Sequence, residues 1–166
     1  MKLSPALRPV RKVLAAALVT VVTATGLVAV APSTATARSA FPAYSANVYE
    51  QQVQYYVNVE RRAHHLAPLS MASCTDSVAE QWSAYLAAHD AFYHQSMNRL
   101  LVKCDAYYAG ETLGRGAITP KTLVSMWMHS PPHRAVLMSP SPRRIGIGAT
   151  PNARGEWVVA ANFMRF

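Results

Sequence analysis

Phe92-Tyr93-His94-Gln95, Gly110-Glu111-Thr112-Leu113 and Trp127-Met128-His129-Ser130-Pro131-Pro132-His133-Arg134 stand in this order in the second half of a 166-residue chain. Ile145-Gly146-Ile147-Gly148 and Trp157-Val158-Val159-Ala160-Ala161-Asn162-Phe163 follow, and Asn58-Val59-Glu60-Arg61 and Leu66-Ala67-Pro68-Leu69 precede. Each piece alone is a weak signal. Order and spacing together make it specific.

The segments around these motifs read as helices followed by strands. Tyr49, Val53, Tyr56, Val57 and Ala63 recur at helical spacing, which predicts a helix from Asn47 to about His64 that Pro68 stops. A second helix is expected from Thr75 to Ser77 onward, with Ser77 and Glu80 as a capping box. Val78, Trp82, Tyr85, Leu86 and His89 would form its buried stripe. A short third helix covers Ser96 to Val102. Thr119-Pro120 opens a fourth, with Leu123, Met126 and Trp127 as its apolar face; Pro131-Pro132 breaks it, and Arg134 to Met138 resumes a turn. Arg144–Thr150 and Glu156–Phe163 read as strands joined by a hairpin loop, Pro151–Gly155, and Tyr107–Ala109 as a further short strand. Helices that precede paired strands imply the α+β class.

The first 37 residues read as an export leader. Lys2, Arg8, Arg11 and Lys12 precede a charge-free run from Val13 to Ala31, and Ala35-Thr36-Ala37 is a small-x-small cleavage site. A single transmembrane anchor is the competing reading. Thr20, Thr23, Thr25 and Gly26 within the run, and the cleavage site after it, favour a cleaved signal peptide. Residues 38–46 then form a short linker, and 47–166 one domain. The whole chain carries a formal net charge of +8; four of its 16 basic residues and none of its 8 acidic ones lie in the leader, which leaves +4 beyond it. The remaining cations are scattered, so nucleic acid is not an expected partner. Weak attraction to an anionic envelope polymer or membrane surface is compatible with this charge.

Cys74 and Cys104 are the two cysteines. An even pair behind an export leader predicts a disulfide. Two free thiols, one packed as a small hydrophobe, are the alternative. Closing a loop of about thirty residues would stabilise the fold by ~3 kcal/mol in the chain-entropy model.

The motif order resembles the CAP superfamily (cysteine-rich secretory proteins, antigen 5 and pathogenesis-related 1), most closely its short bacterial secreted branch. The resemblance covers roughly Val48 to Phe166. It implies a three-layer α-β-α sandwich with a central antiparallel sheet. It also implies one cleft that gathers His94, Glu111 and His133. In many members a second glutamate stands three residues after a helix tryptophan; Ser130 takes that place here, so the tetrad is reduced to a triad. Thr112, Pro132 and Val136 replace the usual Asn, Gly and Asn. Thr112 can keep part of the asparagine's role by donating a hydrogen bond.

Two imidazoles and a carboxylate suit zinc, with His94 and His133 as ligands. Zinc and water would make a metal-dependent, peptidase-like hydrolase. Against it, no G-x-S-x-G is present, and Ser130-Pro131-Pro132 between His129 and His133 is not H-E-x-x-H. The plainer reading makes His94, Glu111 and His133 a hydrogen-bonded network joining helices to sheet. Asn58 and Arg61 are expected to lock the first helix to a neighbouring loop. Arg134 is expected at a carboxylate or helix end, His64 and His65 in solvent, and Gly146 and Gly148 at a close backbone approach. The function expected is that of a secreted, monomeric, non-enzymatic domain. It would bind a lipid or envelope component, as family members bind sterols and other lipids or act at cell surfaces.

Overall fold

The computed structural model describes residues 44–166; the leader and most of the linker lie outside the described residues. Nine elements follow in order: α1 (Ala46–Ala63), β1 (Ser70–Met71), α2 (Ser73–Ala88), α3 (Met97–Cys104), β2 (Tyr108–Gly116), α4 (Pro120–His129), α5 (Pro131–Leu137), β3 (Arg144–Pro151) and β4 (Trp157–Arg165). The sheet runs β1-β3-β4-β2. Its three long strands are antiparallel, and the two-residue β1 joins β3 in parallel, so the sheet is not antiparallel throughout.

Period-two alternation divides the sheet between two helical layers. Val159, Ala161 and Phe163 of β4 join Ile145, Ile147 and Ala149 of β3 under α1, α4 and α5. Val158, Ala160 and Met164 point the other way, beneath α2 and α3. Both faces of β4 are covered, which is why its sequence is an apolar run rather than an alternating one. This is the α-β-α sandwich of the α+β class.

Helix α2 departs most from expectation. It begins at Ser73, not at Thr75 to Ser77, and its N-cap Ala72 offers no side-chain bond. The backbone N–H of Ala72 instead donates to Ile145 O, so strand pairing sets the start and the Ser77–Glu80 capping box goes unused. Its buried residues are Thr75, Val78, Ala79, Ser83 and Leu86. Tyr85 is 41 % exposed, Trp82 only half-buried and His89 exposed. The cause lies in β3. A Cβ on Gly146 would collide with the Thr75 backbone, and one on Gly148 with that of Ala79. The small residues of α2 therefore face the sheet, and its aromatic stripe is turned outward.

Other differences are local. The expected strand at Tyr107–Ala109 is the start of nine-residue β2, so Gly110-Glu111-Thr112-Leu113 lies within a strand. Met126 is 54 % exposed, and Val124 takes its place in the core. Pro131 and Pro132 start α5 as well as ending α4, because a first helical turn needs no proline N–H. Thr119 caps α4 as expected, accepting from Thr122 N.

Free strand edges are capped by side chains, which guards against edge pairing. Asp76 Oδ1 accepts from Ile147 N at 3.1 Å and Glu50 Oε1 from Ala149 N at 2.8 Å, both on β3. On β2, Leu113 O accepts from Trp127 Nε1 at 2.8 Å. The disulfide Cys74–Cys104 is formed, with Cα atoms 5.7 Å apart. It joins the first turn of α2 to the last residue of α3.

Candidate functional site

Glu111 sits in the middle of edge strand β2, on the face that carries α2 and α3, opposite Asn162 of β4. Its side chain is only 1 % exposed, so each oxygen needs a donor. Oε1 accepts from His94 Nδ1 at 2.6 Å and from Gln95 N at 3.2 Å. Oε2 accepts from Gln95 Nε2 at 2.6 Å, and the same amide group reaches Asn162 Oδ1 at 3.1 Å. Burial pushes the Glu111 carboxyl above its usual value, while the bonds from Gln95 and His94 pull it back part of the way.

A carboxylate can only accept, so His94 Nδ1 carries a proton, and in the neutral ring the lone pair is then on Nε2. The His94 side chain is 58 % exposed. The carboxylate thus fixes the ring and the neutral tautomer, and Nε2 is left without a protein partner among the described residues.

His133 lies on α5, in the opposite helical layer, and approaches round the β2 edge. Its Nδ1 is bonded to Ser130 Oγ at 2.8 Å. The serine that replaces the family's second glutamate thus orients this histidine with a hydroxyl. Burial holds His133 below the ordinary 6.5, and the charge of His94 lowers it further. The structure brings His94 and Glu111 into direct contact and His133 within electrostatic reach of His94. The two histidines line separate depressions: His94 one with Trp82, Tyr85 and Arg99, and His133 one with Phe92, Trp127 and Arg115. Among the described residues, no three His, Cys, Asp or Glu side chains are grouped closely enough to hold a metal ion.

The proton linkage has opposite signs at the two ends. Folded His133 binds protons less readily than unfolded, so its contribution to stability is present above pH 6.5 and is lost as pH falls below it. Folded Glu111 binds its proton more readily, so its contribution declines as pH rises above 4.5. The His133 imidazole, followed by NMR, is expected to titrate below 6.5 and to move part of the way back in His94→Asn. A midpoint at or above 6.5 contradicts the burial, and no movement in the variant contradicts the coupling.

Two network members escaped the sequence reading as site residues. Gln95 was legible only as a neighbour of His94. Asn162 is the one polar side chain between Val158 and Met164 of β4, and a buried amide there needs a partner. The role expected of Thr112 is not realised: its Oγ1 is buried without a hydrogen-bond partner, because Thr112 points to the face away from Glu111. Asn162 Nδ2 is likewise unpartnered. Asn58 and Arg61 do lock the first helix, Asn58 through both backbone groups of Leu69 and Arg61 through Ala67 O, Leu137 O and Ser139 O. Among the described residues Arg134 meets no carboxylate; its Nη2 lies 3.5 Å from Nε2 of His64, the C-cap residue of α1.

The profile of the cysteine-rich secretory protein (CAP) family matches residues 54–163. The chain belongs to this family. YkwD of Bacillus subtilis (strain 168) is 30% identical over 111 residues, 63% of this chain and 43% of that protein. This CAP chain therefore spans less than half the length of the curated relative it matches. An extracellular protein containing an SCP domain from Bacillus anthracis superposes with a TM-score of 0.65 at 23% identity, over 73% of this chain and 41% of that one. An outer surface protein of Borrelia burgdorferi gives 0.63 at 18% identity, over 69% and 90%. A cysteine-rich secretory protein of Staphylococcus aureus gives 0.63 at 20%, over 75% and 40%. These structures share the CAP fold. Among the described residues, no helix is long and apolar enough to cross a membrane.

Proposed function

We propose that this CAP chain is exported, loses residues 1–37, and acts as a single domain, 47–166, behind a short linker at 38–46. It works by binding a ligand or partner in the extracellular space or the envelope. The observation that carries this reading is the saturation of Glu111. Both its oxygens hold His94 and Gln95 in place, which presents one imidazole edge to solvent on a rigid backing, with the Gln95 amide nitrogen held between Glu111 and Asn162. The disulfide and the extracellular and outer-surface relatives support export.

A metal-dependent hydrolase built on His94, His133 and Glu111 has less support. Glu111 is unavailable as a ligand without giving up its bonds, which leaves two imidazoles where catalytic zinc sites use three protein ligands. The residues therefore do not fit a catalytic zinc as they are arranged.

Protein recovered from culture medium is expected to begin at or near Arg38 on N-terminal sequencing; retention in membranes with an intact leader overturns export. Calorimetric titration with zinc is expected to show only weak binding. Tight one-to-one binding, lost in both His94→Ala and His133→Ala, would restore the hydrolase and displace the binding reading.

A further inference from the structure

The outward-turned stripe of α2 faces α3 across a groove of about 540 Å³. Its floor is apolar, made by Val78 and Leu100. One wall is aromatic: Trp82 stacks on Tyr85, with planes 9° apart and centroids separated by 5.2 Å, and Tyr93 meets Trp82 edge-on. Tyr93 Oη donates to Tyr85 Oη at 3.2 Å, which fixes that wall. The opposite wall is cationic. Arg99 and Lys103 lie one turn apart on α3, and Lys103 Nζ donates to Gln81 Oε1 at 3.0 Å. Among the described residues, neither cation has a carboxylate at ion-pair distance, and no Asp or Glu lines the groove. Glu111 lies behind Gln95 with its oxygens already bonded. Gln81, Gln95, Ser96 and His94 complete the rim.

We propose that this α2–α3 groove binds a carboxylated saccharide, one acidic sugar unit of an envelope or extracellular glycan. The proposal rests on the secreted-binder reading above and names the site and chemistry of its ligand. Each wall selects a feature of that ligand. The half-exposed Tyr93 ring and the rim of the Trp82–Tyr85–His89 stack offer apolar carbon surface to one face of a pyranose, while Trp82 Nε1 is buried without a partner among the described residues. Two unpaired cations on one helix face call for an anion, and Arg99 can take a carboxylate bidentately. The neutral rim of amides, hydroxyl and imidazole distinguishes a sugar from a fatty acid. Sugar hydroxyls would pair with the groups of this rim that have no protein partner among the described residues, Gln95 Oε1, the Ser96 hydroxyl hydrogen and His94 Nε2, whereas an alkyl chain would bury them unpaired. Both ends of the Gln81 amide are already bonded. Two cations are few for a nucleic acid, whose affinity comes from many phosphate contacts. The Cys74–Cys104 bridge ties α2 to α3 at one end of the groove and preorganises it.

The test is an NMR titration of the mature protein with tetragalacturonic acid. Cellotetraose, laurate and an eight-residue oligothymidylate are run in parallel. Tetragalacturonate is expected to shift the Trp82 indole N–H and the Tyr85 and Tyr93 signals, with affinity that falls as salt is added. Cellotetraose should bind at least about tenfold more weakly, a difference of about 1.4 kcal/mol. The double variant Arg99→Gln, Lys103→Gln, which keeps good helix formers at exposed positions, should weaken the acidic tetramer by a similar factor. The assignment is overturned if the tetramer leaves those signals unmoved, if the double variant binds it equally well, or if laurate or the oligonucleotide binds more tightly. Co-sedimentation with isolated envelope material separates the two levels. Wild type that sediments while tetragalacturonate fails to bind removes only the groove. Wild type that captures nothing from envelope or medium removes the binder reading itself, and the groove with it.

Discussion

Gly146→Ala is expected to destabilise the fold by about 3 kcal/mol or more, because the added methyl has nowhere to go. Its Cβ would overlap the carbonyl carbon and oxygen of Thr75 and the amide nitrogen of Asp76. These are backbone atoms of α2, so no rotamer change relieves the clash. The helix must lift from β3. Lifting it separates Val78 and Leu86 from their cores and strains the bond from Ile147 N to Asp76 Oδ1. For a domain of this size the melting temperature should fall by about 10 °C or more. Thermal denaturation followed by circular dichroism reads this directly. A variant melting within about 2 °C of wild type would show that α2 does not press on β3 at this point.

The second large effect is expected at Arg61. Its side chain is fully buried and binds the carbonyls of Ala67, Leu137 and Ser139, the shortest at 2.6 Å to Leu137 O. It thereby ties α1 to the loop before β1 and to the end of α5, and those carbonyls have few other donors to turn to. Arg61→Ala removes three hydrogen bonds and opens a cavity. With about 1–3 kcal/mol for each buried group left unpaired, the loss should again be about 3 kcal/mol or more. Arg61→Lys keeps the charge but not the planar fork, and should recover only part of the loss. Urea denaturation of the three proteins gives the ranking. Lysine equal to arginine would show that charge alone matters at this position, and alanine within about 0.5 kcal/mol of wild type would show that the carbonyls find water instead.

Both effects arise at residues whose role was visible before the structure in kind but not in magnitude. Gly146 and Gly148 read as a close approach, yet what approached could not be named. The same gap explains the error at α2. Periodicity finds the more apolar face of a helix, and in α2 that face holds Trp82 and Tyr85. The sheet it meets has glycines at the contact, so closeness and small size decided the packing, and the aromatic face was left for the groove. At β2 the error ran the other way. Gly110, Gly114 and Gly116 with Glu111 and Arg115 depress strand propensity, and pairing with β4 along its length overrides it.

The sequence by itself determined the class, the family and the principal elements: the periodicity of α1, the Thr119-Pro120 start of α4 and the apolar run of β4 depend on neighbours along the chain. The family resemblance, through motif order, placed His94, Glu111 and His133 in one cleft; in the structure His94 meets Glu111, while His133 lines a separate depression. Only the tertiary structure decided that Glu111 spends both oxygens on His94 and Gln95, and that His133 leans on Ser130 in the opposite layer. It alone decided that α2 and α3 leave an aromatic groove facing two unpaired cations. These arrangements depend on which faces meet across the sheet and round its free edge. Distances between segments far apart in the chain are set by packing, and local pattern carries no record of them.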